Sequence, residues 1–154
     1  IYDEGYNYIG CVGRATNEQM TPKWLHSRGF RKSMLYGLNL AKDEILKTQT
    51  AILVEGQGDV WRMYEAGLKN TVGIFGSSIN DDQLILLEAS GALNLVILTD
   101  SDEAGNKAFS QIVKKCGRRF NYSRPLISKK DVGDMPIEQI KEELYPQLKG
   151  LINE

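Results

Sequence analysis

Three short apolar runs constrain this chain more than anything else in it: Ala51-Ile52-Leu53-Val54, Thr71-Val72-Gly73-Ile74-Phe75 and Leu95-Val96-Ile97-Leu98. A strand that is apolar at successive positions needs cover on both faces, which a parallel sheet between helices supplies. Helical segments follow each run. Gly58 to Ala66 reads as a helix closed at Gly67. Asn80 is placed to cap a helix with Leu84, Ile85, Leu87 and Leu86 on its apolar side, ending at Gly91. Glu103 to about Lys115 forms a third helix, Arg119 to Ser123 a fourth strand, and Pro136 opens a last helix through Leu144. Strands alternating with helices at this spacing predict an α/β fold with a parallel sheet and right-handed crossovers.

The first forty-eight residues have a different character. Tyr6 to Arg14 reads as a strand broken by glycines, residues 15–32 as turns and loop, and Met34 to Lys47 as a helix with Leu35, Leu38, Ala41 and Ile45 near a 3.6-residue period. The net charge of −1 conceals a basic stretch: Arg14, Lys23, Arg28, Arg31 and Lys32 stand against the single acid Glu18. Such a cluster suits an anion-binding face, although a solvated loop carries the same charges. No apolar run approaches the roughly 20 residues a membrane span needs, and no signal peptide is visible. Together with cysteine usage this predicts a cytoplasmic protein without membrane attachment. The start at Ile1 suggests an excised piece of a longer protein or a processed chain. Cys11 and Cys116 lie far apart and outside any ligand spacing, so neither a disulfide framework nor a cysteine zinc site is expected. The single His26 is expected on the surface or in a loop.

The chemistry gathers where the strands stop. The first run ends in Glu55-Gly56, with Asp59 four residues on; the second ends in Gly76-Ser77-Ser78; the third ends in Thr99-Asp100-Ser101-Asp102. Residues two apart in extended backbone point to the same side, so Asp100 and Asp102 can converge on one ion. Parallel strands present their carboxyl ends together, where open α/β sheets bind ligands. Four carboxylates at one edge repel each other unless a cation lies between them, and oxygen-only donors favour Mg²⁺ or Mn²⁺ over zinc. The plainer reading of Asp-Ser-Asp, a solvated loop ending in a helix cap, stays open on spacing alone. Glu55 can act as a general base or as a further ligand.

Glu55-Gly-x-x-Asp59, followed by Asp100-x-Asp102-x-Ala104-Gly105-x-x-Ala108, resembles the Toprim domain of topoisomerases and primases, in the form found in DnaG-type primases of bacteria and phages. Upstream, Gly13-Arg14, Pro22-Lys23-Trp24-Leu25-His26-Ser27, Phe30-Arg31-Lys32 and Leu35-Tyr36-Gly37-Leu38 are similar to the small basic subdomain that precedes Toprim in those primases. That family usually has Tyr-Leu-Asn-Ser where this chain has Trp24-Leu25-His26-Ser27. Downstream, Lys130-Asp131-Val132-Gly133-Asp134-Met135 resembles the segment supplying further acidic ligands. Asp131 is the firmer match; Asp134 reads equally well as a helix cap before Pro136.

The resemblance implies a Toprim-type parallel sheet flanked by helices over residues 49–154, with a C-terminal helical extension, after a small α+β basic subdomain over residues 1–48. It implies a primase core that joins ribonucleotides into short RNA primers on single-stranded DNA by Mg²⁺- or Mn²⁺-dependent nucleotidyl transfer. Glu55, Asp100 and Asp102 would be catalytic. Metal would be held from Glu55, Asp59, Asp100, Asp102, Asp131 and Asp134, and phosphates by Arg14, Lys23 and Lys32. The implied partners are single-stranded DNA, nucleoside triphosphates and a replicative helicase reached through regions outside this chain. A Toprim nuclease or topoisomerase piece would use the same acids to cleave phosphodiesters, and a non-catalytic nucleic-acid or nucleotide-binding module would use them only structurally. A core silent in isolation is a further possibility, since the cysteines here cannot supply the zinc module such primases carry.

Overall fold

The computed structural model describes residues 1–17, 19–30 and 32–152; Glu18 and Arg31 of the basic stretch lie outside the described residues. Its centre is a four-stranded parallel sheet of β3 (Thr50–Val54), β4 (Thr71–Gly73), β5 (Asn94–Leu98) and β6 (Asn121–Ser123), in the order β4-β3-β5-β6. Val54 pairs with Leu98, so the two central strands end level with each other. A separate antiparallel pair, β1 (Val12–Arg14) and β2 (Trp24–His26), precedes the sheet.

The period of two along the central strands divides the core into two layers. Ala51, Leu53, Leu95 and Ile97 point to one face, where they meet Leu38, Ala41 and Ile45 of α1 (Leu38–Thr48), Leu84 and Leu87 of α3 (Asp81–Ala89), and Ile112 of α4 (Glu103–Cys116). Ile52, Val54, Val96 and Leu98 point to the other, against Val60 and Met63 of α2 (Gln57–Glu65) and Ile140 and Leu144 of α5 (Ile137–Leu144). All of these apolar residues are buried, which is why both strands are apolar at successive positions. Among the described residues no helix is long and apolar enough to cross a membrane.

The elements depart from the sequence reading where the backbone takes positive φ. Tyr6 (φ 64°) and Gly10 (φ 153°) break the first stretch, so β1 starts only at Val12. The helix expected from Met34 starts at Leu38, because Gly37 adopts φ 79° and Tyr36 instead exchanges backbone hydrogen bonds with Gly73 (2.8 and 3.0 Å). β4 stops at Gly73, before Phe75 turns through φ 58°. Residues 15–32 are not loop throughout: Trp24–His26 pairs with Val12–Arg14. Asn80 caps α3 as its sequence predicts, accepting from the Gln83 N–H at 2.9 Å, but Ile85 on that helix faces solvent. Pro136 takes the N-cap position of α5 rather than its first helical one. Cys11 and Cys116 are both free thiols.

Candidate active site

The adjacent ends of β3 and β5 bring their acids together. Glu55 follows Val54, Asp100 lies two residues beyond Leu98, and the Asp100 N–H faces Glu55 Oε1 at 3.4 Å. Asp102 is the N-cap of α4 and accepts from the Gly105 N–H at 2.9 Å. The capping interpretation of Asp-Ser-Asp is therefore correct for Asp102, and it does not exclude the other: Lys130 Nζ lies 3.7 Å from Asp100 Oδ2 and 3.2 Å from Asp102 Oδ2. The two aspartates converge on one positive charge. Gly105 makes this turn possible, since a Cβ there would stand 1.8 Å from the Asp100 carbonyl oxygen.

Asp59 sits one turn into α2, where its Oδ2 accepts from the Gly56 N–H at 2.9 Å. Asp131 caps the short 3₁₀ turn Val132–Asp134, accepting from the Asp134 N–H at 3.0 Å. Asp134 does not cap α5; it ends the 3₁₀ turn with an exposed side chain, and Pro136 provides no side-chain cap. A cavity of about 550 Å³ is bounded by Glu55, Asp59, Asp131 and Asp134 and, across from them in the sequence, by Arg14, Lys23, Trp24 and His26. Asp100, Asp102 and Lys32 do not line it; the Lys32 ammonium lies beside Gly76, and burial, then this ammonium, disfavours the His26 imidazolium. His26 is neither a loop nor a plain surface residue. It belongs to β2, stacks on Phe30 at 4.4 Å, meets Phe75 edge-on and faces the cavity.

The electrostatics of the acids record their crowding. Burial, then the neighbouring Asp131 and Asp100 carboxylates, push Asp59 up to about 6 against the hydrogen bond from Gly56. Glu55 is raised by burial and by Asp100, and Asp100 by burial and by Asp131. Asp102 goes the other way, held low by the Gly105 N–H and then by Lys130. Among the described residues no group of three or more acids, histidines or cysteines closes into a cage able to hold an ion by itself. A hard divalent cation such as Mg²⁺ needs only one or two carboxylates and completes its shell with water and phosphate oxygens. The donor set fits such an ion on two counts. It is all oxygen, and a cationic side chain already occupies the space between Asp100 and Asp102.

Three residues near the acids escaped the sequence reading of the site. Arg124 donates to the Asp100 carbonyl and to Thr99 Oγ1, both at 3.3 Å, and so braces the loop carrying the aspartates. Lys130 was visible only as the residue before Asp131, and its backbone carbonyl accepts from the Ser101 N–H at 2.7 Å. Trp61 lines the cavity from α2, where a lone exposed tryptophan leaves no periodic signal.

Residues 49–124 match the family model of the Toprim domain. The DNA primase of Chlamydia pneumoniae is 36% identical over 104 residues, covering 68% of this chain and 17% of that protein. The DNA primase of Aquifex aeolicus is 36% identical over 117 residues, covering 73% of this chain and 23% of that protein. The chain thus spans about a fifth of the length of these relatives. The solved structure of the Aquifex aeolicus primase, with its zinc-binding and RNA polymerase domains, superposes with a TM-score of 0.80 at 33% identity over 99% of this chain and 38% of that one. The DnaG primase catalytic domain bound to single-stranded DNA gives 0.78 at 25% identity, over 99% of this chain and 50% of that one.

Proposed function

This chain carries a Toprim domain and is a relative of the DNA primases, and from that premise we propose that it is the primer-synthesising core of such an enzyme, joining ribonucleotides on a single-stranded DNA template. One observation carries the reading: Glu55, Asp59, Asp131 and Asp134 border the same cavity as the cationic residues Arg14 and Lys23, and Glu55 faces the Asp100 loop beside it. A surface that only bound nucleic acid would gain nothing from crowding carboxylates where phosphates arrive, since each repels them.

In the proposed reaction a ribonucleotide 3′-oxygen forms a bond to the α-phosphorus of an incoming triphosphate, and pyrophosphate leaves. Asp100, Asp102 and Asp131 would hold divalent metal, with Asp59 and Asp134 in support. When bound, the ion supplies neutralising charge to the triphosphate and acidifies the attacking hydroxyl. Glu55 is a carboxylate whose proton affinity burial and Asp100 have raised, which suits it to receive the hydroxyl proton. Arg14, Lys23 and Lys32 hold phosphates of template or product without reading sequence. Residues 1–48 are the basic subdomain of this reading and residues 49–154 its Toprim part. A replicative helicase would engage the parent protein elsewhere.

The deciding measurement is Mn²⁺ binding, followed by paramagnetic NMR broadening with and without nucleoside triphosphate. Broadening should centre on residues 55–59, 100–102 and 131–134, strengthen with triphosphate, and weaken about a hundredfold or more in Asp100→Ala, since even partners one step removed from a metal cost about 10–100-fold. Equal, negligible binding by both proteins overturns the catalytic reading. Template-directed ribonucleotide incorporation, lost in the same variant, separates synthesis from phosphodiester cleavage.

A further inference from the structure

The chain has two tryptophans, and both lie on the cavity bounded by Glu55, Asp59, Asp131 and Asp134. Trp24 comes from β2 and Trp61 from α2, with ring centroids 6.3 Å apart and planes at 70°. Arg14, paired with Trp24 across the hairpin, lies over that ring at 5.2 Å. Trp61 donates its indole N–H to the Tyr36 hydroxyl at 2.8 Å, which fixes the ring's azimuth, yet the residue remains 49% exposed. Trp24 is half-buried, and a ring as open as Trp61, held by a hydrogen bond and an edge contact, contributes little as core. Such rings are good surfaces for a flat ligand, because every nucleobase offers a π-face and stacking tolerates any sequence.

We infer that Trp61 and Trp24 form a stacking platform for a nucleobase, with Arg14 beside it to hold the adjoining phosphate. The inference rests on the reading of the cavity as a polynucleotide-synthesis site and adds to it a base-binding element outside the acids. The base belongs either to the single-stranded template or to the incoming nucleotide; both present the same chemistry. Packing the hairpin against α2 is the structural alternative, and it makes a different prediction, because packing loss would weaken binding of any ligand alike.

The two tryptophans are the only ones in the chain, so their emission reports on this site alone. Oligothymidylate and an abasic oligonucleotide of the same length are titrated into the chain at low salt, with affinity read from the anisotropy of a label and stacking read from tryptophan quenching. Oligothymidylate should quench, and the abasic strand should bind through its phosphates without quenching. Trp61→Ala should bind oligothymidylate about tenfold more weakly while leaving abasic binding unchanged, and Trp61→Phe should recover most of the loss. A parallel titration with ATP and with inorganic tripolyphosphate, each with Mg²⁺, assigns the platform: quenching by ATP places the incoming base there, quenching by oligothymidylate the template. Binding of both strands by Trp61→Ala at wild-type strength, or equal weakening of both, overturns the platform while leaving the synthesis reading intact. Failure of every ligand to bind overturns both.

Discussion

The acidic and basic walls of the candidate site are built by opposite means. The acidic wall hangs from β3 and β5, two five-residue strands buried on both faces and joined in register over their full length. Its loops are then pinned: Asp102 to the Gly105 N–H, Asp100 to Arg124 through its carbonyl, Ser101 to the Lys130 carbonyl. The basic wall is a hairpin of two three-residue strands in which no side chain is fully buried. It meets α2 and the segment after β4 through aromatic edges, Trp24 on Trp61 and His26, with Phe30 beside it, on Phe75. Groups that must crowd like charges need a backbone that cannot relax away from them. Groups that only meet a flexible polyanion do not, because phosphate contacts position without demanding fixed geometry. Rigidity has gone where the electrostatic strain is.

The contrast is broken most severely at Gly105. A methyl group there would occupy the position of the Asp100 carbonyl oxygen, and neither α4 nor β5 is free to retreat. Gly105→Ala should destabilise the chain by about 3 kcal/mol, toward the upper end for overpacking, and weaken Mn²⁺ binding by displacing the aspartate loop. On the opposite wall a Cβ at Gly13 meets nothing within 4 Å. Gly13→Ala should change stability by no more than about 0.5 kcal/mol. Chemical denaturation of the two variants side by side tests the difference, and equal losses would show that the walls are equally rigid.

The same asymmetry governs what the sequence could reveal. The sheet was legible because burial on both faces forces apolar runs, and Glu55 and Asp100 because they stand at the ends of such runs, whereas Asp131 and Asp134 followed from the family resemblance alone. Glu55 and Asp100 needed only the rule that parallel strands end together. The hairpin left no such trace: strands of three residues are too short to show a period, and Trp24-Leu25-His26 passed for loop. Starts and stops failed where one residue took positive φ, as at Gly37 and Phe75, because a left-handed turn is a tertiary choice that neighbours make. Lys130 and Arg124 were missed for another reason: their work depends on which loop lies opposite, and that is set by the fold rather than by spacing.

A smaller effect sharpens the electrostatic half of the comparison. Asp59, buried beside Asp131 and Asp100, is raised from an ordinary carboxyl value near 3.8 to about 6. The native state therefore holds a proton that the unfolded chain has released between those values, so stability from this group is full below about 4 and is lost as pH rises through 6. Glu55 and Asp100 shift in the same direction. In metal-free protein, Asp59→Asn should gain on wild type by about 2 kcal/mol between pH 4 and pH 7.5, since the amide keeps an acceptor for the Gly56 N–H and carries no charge. Saturating Mg²⁺ should shrink that advantage. Urea melts at the two pH values with EDTA check the slope, and a difference independent of pH would mean that Asp59 carries no strain.

The smallest effect concerns Lys130 on the acidic wall. Lys130 is exposed, and its ammonium lies between Asp100 and Asp102 where a divalent ion would also sit. An exposed ion pair contributes little to folding, so its consequence is competitive rather than structural. Any ion entering must push the ammonium aside, and the lysine lowers the negative potential that attracts the ion. Lys130→Gln should therefore bind Mn²⁺ about threefold more tightly by calorimetry, with no more than a marginal change in melting temperature. The opposite result, weaker Mn²⁺ binding, would mean that Lys130 organises the aspartates for metal instead of standing in for it. The acidic wall would then owe its geometry to a side chain as well as to the sheet, and the division between a rigid acidic wall and an adaptable basic one would be less sharp than its backbone suggests.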